Sequence, residues 1–216
     1  MSKVELLQQI ETNVKNCKKC RLCETALNSV PGEGNYDAEI VFIGEAPGAT
    51  EDKTGRPFVG RAGKLLEGML NKINFGREDV WIGNVIKHRP PNNRDPLPDE
   101  IKACEPYLTM QLEIIKPKLI ITLGRFAMNY FYPDGKISRD HGQLIKVSKN
   151  KTANNSNITD TYNVYPLYHP AAALRNKSFA KALLQDFLKI PDILASLEKN
   201  EVKQNSDETK LNPLGL

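Results

Sequence analysis

Three cysteines near the start of the chain have the spacing of metal or iron–sulfur ligands. They lie in 17-CKKCRLC-23, at C-x-x-C-x-x-C spacing, and the fourth cysteine of the chain is Cys104. Thiolates bind zinc and iron–sulfur clusters, and closely spaced cysteines can share one centre. The alternative is a set of unreactive reduced thiols, because four cysteines in a reducing compartment form no disulfide framework. We favour ligation.

A glycine-rich loop and an asparagine could together bind a nucleobase. In 44-GEAPG-48, Gly44 and Ala46 are small enough for a ligand to approach the backbone, and exposed N–H groups there could bind an oxygen. Asn84 ends a buried strand, and its amide has one acceptor and two donors, the complement of a base edge. Taken alone, each feature is more often a common turn or an asparagine that satisfies local backbone groups.

A phenylalanine and a histidine could complete such a site. Phe58 lies in the glycine-flanked stretch 55-GRPFVGRAGKLL-66, where an aromatic ring could stack on a base. His169 precedes Pro170 at a strand end, where an imidazole could donate a hydrogen bond to a developing oxyanion. The simpler interpretations are a core phenylalanine and a structural histidine.

Strands and helices alternate along the chain. Apolar runs predict four strands at 39–48, 79–87, 118–124 and 162–169, and helical periods predict helices at 3–16, 62–73, from about 99, at 125–132 and at 178–197. This alternation predicts an α/β fold with a mostly parallel sheet, in which ligands bind where loops leave the carboxyl ends of strands. Residues 148–161 are a polar insertion. We predict one domain over 1–197 and a polar, flexible tail over 198–216.

Composition indicates a soluble globular protein. The chain has 216 residues with 40% hydrophobic and 26% charged content, and a net charge of +4. Basic residues concentrate in 87-KHRPPNNR-94 and 175-RNKSFAK-181, which suits a surface that faces phosphates. The first residues lack the apolar core of a signal peptide, and no apolar run approaches the roughly 20 residues of a membrane-spanning helix. We therefore predict a cytoplasmic protein.

The combination resembles the family 4, iron–sulfur uracil-DNA glycosylases of the uracil-DNA glycosylase superfamily. The matching stretches are CKKC, VPGEGNYDAEIVFIGEAPGATEDKTGRPFVGRAGKLLEGML, NVIKHRPPNNRDPLPDEIKACEPYL, LIITLGRFA and YHPAAALRN. The resemblance implies a three-layer α/β/α fold around a four-stranded, mostly parallel sheet. It also implies a DNA repair enzyme that flips uracil out of DNA and hydrolyses its N-glycosidic bond, leaving an abasic site for base excision repair.

The resemblance assigns a role to each candidate residue. The backbone of Gly44, Glu45 and Ala46 would line the uracil carbonyl edge, Phe58 would stack on the ring and Asn84 would read its hydrogen-bonding edge. His169 would stabilise negative charge on the departing base, Glu45 would position water or support the sugar cation, and Glu51 is a further pocket candidate. The DNA-binding residues would be Lys87, Arg89, Leu174 as a wedge in the minor groove, and Arg175.

The chain departs from the family at a ligand position. The family has a cysteine where this chain has His88, and that cysteine is the third ligand of a four-iron, four-sulfur cluster whose other ligands map onto Cys17, Cys20 and Cys104. Either His88 ligates the cluster, as histidines do in Rieske centres, or Cys23 replaces it. Alternatively, the cluster is lost or zinc occupies the site. We favour His88, because the flanking register is intact.

Two other functions are compatible with the sequence. A related branch of the superfamily binds uracil sites covalently through a histidine in an inserted basic loop, so a covalent or non-catalytic uracil-DNA binder is the main alternative. An iron–sulfur protein without glycosylase activity is the other. We expect a monomer that acts on uracil in double- or single-stranded DNA. A sliding clamp is an open candidate partner, although the tail has no clear docking motif.

Overall fold

A six-stranded sheet forms the centre of the protein. The computed structural model describes residues 1–153 and 156–211, without the side chains of 149–160 and 201–211. The strands are β1 (Glu33–Gly34), β2 (Ile40–Gly44), β3 (Trp81–Asn84), β4 (Leu119–Leu123), β5 (Ile145–Ala153) and β6 (Ser156–Leu167), in the order β1-β3-β2-β4-β6-β5. The inner strands β3, β2, β4 and β6 are parallel, while β1 and β5 pair antiparallel at the two edges. The predicted four parallel strands are therefore present, and the two edge strands extend them.

Helices cover both faces of the sheet. The longer ones are α1 (Lys3–Lys15), α4 (Arg61–Lys72), α5 (Pro98–Ile115), α9 (Lys177–Phe187) and α10 (Ile190–Leu211). The shorter ones are α2 (Leu22–Thr25), α3 (Ala49–Thr54), α6 (Arg125–Phe131), α7 (Ile137–Asp140) and α8 (Pro170–Ala173), and a 3₁₀ turn spans Pro91–Asn93. The predicted α/β/α fold is confirmed.

The residues of one strand alternate between two hydrophobic cores. In β2, Val41 and Ile43 pack with α1, α5 and α6, whereas Ile40 and Phe42 pack with α4, α9 and α10. All five residues of β2 are buried, so the strand is covered on both sides. A parallel strand with helices on both faces is apolar throughout, because both of its faces are shielded from water.

Two stretches differ from the sequence-based expectation. Of the polar insertion predicted at 148–161, residues 148–153 belong to β5 and 156–161 to β6, two strands that pair antiparallel, while 154 and 155 lie outside the described residues. The helix predicted at 178–197 is two helices, and the second starts beside Pro191, whose missing N–H is tolerated in a first turn. That second helix runs to Leu211 and so includes most of the predicted tail, whereas 212–216 lie outside the described residues. Among the residues that the structure describes, no helix is long and apolar enough to cross a membrane.

Candidate functional site

A pocket of about 360 Å³ opens at the carboxyl ends of β2, β3 and β6. Parallel strands end at the same edge of a sheet, so three loops that are far apart in sequence meet there. The pocket contains seven of the predicted site residues: Glu45, Ala46, Glu51, Phe58, Asn84, His169 and Arg175. The loops predicted to meet at the sheet edge therefore do so.

Asn84 brings a buried, unpaired acceptor into this pocket. It is the last residue of β3, pairs with Gly44 of β2 and is 2% exposed. Its Oδ1 atom has no hydrogen-bond partner among the described residues. A buried polar atom without a partner is costly, and a bound ligand can supply the missing hydrogen bond. This acceptor points to a ligand that donates a hydrogen bond.

Gly44 keeps the base of the pocket open and explains why a small residue stands there. A Cβ atom on Gly44 would lie 2.4 Å from Asn84 Oδ1 and 2.6 Å from Phe58 Cζ. Both contacts are shorter than atoms tolerate, so any side chain at this position would displace the amide or the ring. Gly44 therefore contributes by the absence of a side chain, and its carbonyl accepts the N–H of Val85.

Phe58 is held in a backbone conformation that is rare for a bulky residue. Its φ angle is +50°, in the left-handed region, and its side chain is 6% exposed. Its ring centroid is 5.7 Å from that of His169, with the two planes at 32°. A bulky residue keeps a left-handed φ angle only where the surrounding structure holds it there, and such residues often lie at functional sites.

Glu51 lines the pocket, and its carboxylate also holds the pocket loop in place. One carboxylate oxygen, Oε1, accepts the N–H groups of Val59 and Gly60 at 3.0 Å and 2.8 Å. These amides directly follow Phe58 in sequence. Glu51 therefore fixes the carboxyl side of the segment that carries the ring.

His169 is a neutral imidazole with a defined tautomer. Its Nδ1 atom accepts the N–H of Ala171 at 3.0 Å, which caps α8. A neutral ring that accepts at Nδ1 carries its proton on Nε2, so Nε2 is a donor. Burial lowers the pKa of His169 to about 4, because charging the ring would cost its hydration. The residue can thus donate a hydrogen bond at neutral pH without being charged.

Glu45 is a half-buried carboxyl group with a strongly raised pKa. Burial raises the pKa of Glu45 to about 7, the negative charge of Asp95 adds to this effect, and Arg125 opposes it. The group is therefore divided between its acid and carboxylate forms near neutral pH. Titratable groups with such pKa values in clefts are candidates for proton transfer or charge stabilisation.

The loop after β3 forms one wall of the pocket, through residues that were not predicted individually as site residues. Pro90, Asn93, Arg94 and Asp95 line this side. Arg94 is fixed by a bidentate ion pair with the buried carboxylate of Glu100. The sequence did indicate that this loop lies near the pocket, since 90-PPNNRD-95 comes shortly after the strand that carries Asn84. Sequence alone, however, does not show which way such a loop folds.

Two of the four predicted DNA-binding residues lie at the open surface. Leu174 and Arg175 follow α8, and Leu174 is 43% exposed although it is a large apolar residue. Arg89 instead folds back on its own loop, where its Nε donates to Asn93 Oδ1 at 2.8 Å.

The prediction that Lys87 faces DNA phosphates is wrong. Lys87 is 1% exposed, and its Nζ donates to the carbonyls of Asn84 and Pro31 and to Gln111 Oε1 at 3.0, 3.2 and 2.8 Å. Burial lowers its pKa to about 7. The residue is a buried support beneath Asn84, because three oxygens replace water around its ammonium group.

The cysteines of the N-terminal motif lie beside Cys104. The thiols of Cys17 and Cys20 are close enough to that of Cys104 to raise its pKa, although burial is the main cause of this rise to about 11. Each of these three sulfurs also has a hydrogen-bonding neighbour: the Lys87 N–H for Cys104, the Leu22 N–H for Cys20 and the Tyr107 hydroxyl for Cys17. Such donors stabilise thiolates and tune iron–sulfur clusters. In the described ranges, no group of three or more His, Cys, Asp or Glu side chains is placed so that it could hold a metal ion.

His88 and Cys23 are both placed near this group. They line one surface cleft together with Cys17. His88 is 6% exposed, and burial lowers its pKa, so its ring favours the neutral form that ligates metals. Cys20 lies close enough to Cys23 for their charges to interact. Both candidate fourth ligands are therefore local to the three cysteines.

The fold and the pocket define a class of protein. A pocket at the end of a parallel sheet, with an amide, an aromatic ring and a neutral imidazole, is suited to an extrahelical base. Residues 31–190 match the family model described as "Uracil DNA glycosylase superfamily". The chain belongs to this superfamily.

The curated relatives narrow the resemblance to one branch. The chain is 48% identical over 191 residues to a protein of Sulfurisphaera tokodaii named "Type-4 uracil-DNA glycosylase", a match that spans 88% of this chain and 86% of that protein. A protein of the same name from Saccharolobus solfataricus is 48% identical over 195 residues, which is 88% of this chain and 87% of that protein. Another, from Archaeoglobus fulgidus, is 45% identical over 195 residues, covering 88% and 94% of the two chains.

Proposed function

We propose that the chain is a uracil-DNA glycosylase of the type 4 branch, which flips uracil into this pocket and hydrolyses its N-glycosidic bond. The observation that carries the proposal is the buried Oδ1 atom of Asn84, which has no partner in the described part of the chain. Uracil has an N3–H donor between two carbonyl oxygens, so it can supply the missing hydrogen bond. Type 4 relatives at 45–48% identity over most of the chain support the same activity.

Base recognition divides between a ring and an amide. Phe58 stacks on the uracil ring, Asn84 Oδ1 accepts the N3–H group, and Asn84 Nδ2 donates to the neighbouring carbonyl oxygen O4. Cytosine presents an acceptor at N3 and a donor at its exocyclic amine, so it would leave the same Oδ1 unpaired. Leaving buried polar groups unpaired is the strongest way for a binding site to reject an analogue.

The reaction is driven by stabilisation of the departing base. Bond cleavage leaves negative charge on uracil and cationic character on the sugar. His169 donates its Nε2–H to the uracil oxygen O2, where that charge collects. A donor that is fixed in advance, in a site that excludes water, lowers the barrier more than it strengthens substrate binding. The neutral state of His169 suits this role, because the ring needs to donate a hydrogen bond and not a proton.

Glu45 acts on the sugar and the attacking water through the negative charge of its carboxylate. Its carboxylate form can orient the attacking water and stabilise the cationic sugar. The pKa near 7 places both forms within reach at physiological pH. The next residue, Ala46, has no carboxylate. Glu45 is therefore the sole carboxylate between Gly44 and Pro47 in the loop that lines the pocket.

DNA contacts involve the loop after His169. Leu174 fills the space that the flipped nucleotide leaves in the stack, and Arg175 faces a phosphate at the mouth of the pocket. Leu174 and Arg175 are both exposed, so their side chains are accessible to DNA.

A cleavage assay tests the proposal and separates it from covalent binding. A labelled duplex with one uracil opposite guanine or adenine, and the matching single strand, is incubated with the protein. We expect free uracil and an abasic site that alkali converts to a strand break, with no adduct that survives SDS. An SDS-resistant adduct without free uracil would identify a covalent binder instead.

We further propose that Cys17, Cys20, Cys104 and His88 hold a four-iron, four-sulfur cluster. The convergence of the three cysteines, with a hydrogen-bonding neighbour at each sulfur, supports this ligand set. When bound, the cluster would join the N-terminal segment to α5 and to the loop after β3, which lines the base pocket. The chain's own residues carry out base recognition and bond cleavage, so the cluster's role is to hold that loop.

The fourth ligand distinguishes this chain from the family pattern. His88 follows Lys87, whose backbone N–H lies close enough to the Cys104 thiol to lower the pKa of that thiol, so the position is near the cysteine group. Cys23 as the fourth ligand, or zinc in place of the cluster, are the alternatives. A histidine at this place would raise the reduction potential relative to a cysteine.

A further inference from the structure

Four consecutive residues around Phe58 are fixed by side chains from elsewhere in the fold. On one side, Arg77 donates from Nη1 to the carbonyl of Phe58 at 2.9 Å and from Nη2 to the carbonyl of Pro57 at 2.8 Å. On the other side, Glu51 accepts the N–H groups of Val59 and Gly60. The backbone that carries the ring is therefore held by a cation on its carbonyls and by an anion on its amides.

Arg77 is in turn held by Glu33, which lies in β1 at the sheet edge. The Nη2 atom of Arg77 also donates to Glu33 Oε1 at 2.6 Å, and Arg56 donates to both oxygens of the same carboxylate. Burial alone would raise the pKa of Glu33, but the hydrogen bonds from Arg56 and Arg77 outweigh it and keep that pKa below its usual value. The carboxylate is thus charged at neutral pH, and it orients the guanidinium of Arg77.

The conformation that this arrangement stabilises is strained. The φ angle of Phe58 is +50°, where a bulky side chain is rarely found. Helix α4 packs against the same peptide so closely that a Cβ on Gly63 would lie 1.8 Å from the Phe58 carbonyl oxygen. Without added contacts, a segment in this region would relax to an extended or right-handed conformation and move its ring.

We propose that Arg77 is a positioning residue for the base pocket, which sets the Phe58 ring in place before the flipped base arrives. The proposal rests on the proposed glycosylase function and deepens it. Arg77 has a side-chain exposure of 17%, and its three acceptors all belong to the protein. A guanidinium can bind two adjacent carbonyls and a carboxylate at once, whereas an ammonium group lacks this planar fork.

The test combines Arg77→Ala with a matched control, Arg56→Ala. Arg56 pairs with the same carboxylate but is 61% exposed and makes no hydrogen bond to the carbonyls of Pro57 and Phe58. Steady-state uracil release gives kcat and KM for both variants, with and without Phe58→Ala. Limited digestion with chymotrypsin, followed by mass spectrometry, measures cleavage after Phe58 independently of any activity.

We expect Arg77→Ala to lower kcat/KM by roughly tenfold to a hundredfold, the scale of one or two lost charge-assisted hydrogen bonds. In the Phe58→Ala background the same substitution should cause no further loss, because the ring through which it acts is gone. Chymotrypsin should cut Arg77→Ala after Phe58 faster than it cuts the wild type or Arg56→Ala.

Two results would overturn the proposal. One is an equal loss of kcat/KM in both backgrounds, which would mean that Arg77 acts independently of the ring. The other is equal chymotrypsin cleavage after Phe58 in wild type and Arg77→Ala. If the wild type releases no uracil, the glycosylase function fails, and the digestion still decides the role of Arg77. If Arg77→Ala does not fold, Glu33→Gln, which keeps Arg77 but weakens its anchor, replaces it in both measurements.

Discussion

The rings of Phe58 and His169 lie with their centroids 5.7 Å apart and their planes at 32°. Stacked bases are separated by about 3.4 Å, so a base cannot lie between these two rings. A uracil that stacks on the open face of Phe58 must therefore present its edge to His169. An edge contact is what a hydrogen-bond donor to a uracil oxygen requires, so this geometry is compatible with the proposed stacking on Phe58 and the proposed charge stabilisation by His169.

Removal of the His169 imidazole should abolish most turnover while DNA binding persists. His169→Ala should lower kcat by about 10²- to 10³-fold, the loss that follows removal of one preorganised oxyanion donor. His169→Gln should retain part of the rate, since an amide N–H can still donate. Single-turnover cleavage and fluorescence anisotropy with a uracil-containing duplex measure the two effects. A His169→Ala variant that cleaves at the wild-type rate would contradict the assignment.

Asn84→Asp should damage uracil recognition. A carboxylate can accept the N3–H group but cannot donate to O4, and its charge repels that oxygen. We expect kcat/KM to fall by roughly 10²-fold or more, because a mispaired polar group in a buried site is strongly rejected. The matched control is Asn13→Asp on the exposed face of α1, which makes the same change in charge away from the pocket. Equal kcat/KM in both variants would refute the role of Asn84.

Glu45 should set the pH dependence of the reaction. Its pKa of about 7 means that the carboxylate fraction grows as pH rises through 7. If the carboxylate is the active form, kcat/KM should rise between pH 6 and 8 and then level off. The pKa of His169, about 4, lies below this range, so protonation of His169 does not change kcat/KM between pH 6 and 8. A Glu45→Gln variant should be slower and lose the part of this rise that Glu45 causes, while Lys87, whose pKa is also about 7, still titrates in this range. An unchanged pH profile would remove Glu45 from the mechanism.

The identity of the fourth cluster ligand can be read from colour and metal content. We expect the purified wild type to be brown, with about four iron and four sulfide per chain. His88→Ala should lose visible absorption and iron, while Cys23→Ala should keep both and His88→Cys should keep the cluster at a lower reduction potential. If Cys23→Ala bleaches and His88→Ala does not, Cys23 is the ligand. A colourless, zinc-bearing wild type would contradict the cluster altogether.

The parallel inner strands and the meeting of their loops at one sheet edge could be predicted from the sequence, because they depend on periodicity and topology. Buried apolar runs such as that of β2 mark parallel inner strands, and residues at their carboxyl ends must meet. This reasoning predicts that Glu45, Asn84 and His169 lie at one sheet edge, whereas Phe58 is placed beside them only by the resemblance to the glycosylases. The superfamily resemblance is confirmed by the family match.

The direction of side chains in loops could not be predicted in this way. Lys87 is basic and adjacent to a proline-rich loop, which indicates a surface residue, but three buried oxygens hold it inside. The bonds from Arg77 to the carbonyls of Pro57 and Phe58 depend on tertiary geometry, and no local pattern encodes them. The polar composition of 148–161 likewise indicated an insertion, although 148–153 and 156–161 belong to β5 and β6. These strands pair with each other through backbone groups, which side-chain composition does not reveal.

A crystal structure of the protein with free uracil tests the central claim most directly, because it asks what pairs with the unpaired acceptor. The account predicts a uracil stacked on Phe58, with N3 within hydrogen-bond distance of Asn84 Oδ1 and O2 facing His169 Nε2. A uracil bound elsewhere, for example in the apolar cleft beside Pro96 and Phe126, with Asn84 Oδ1 still unpaired, would contradict it.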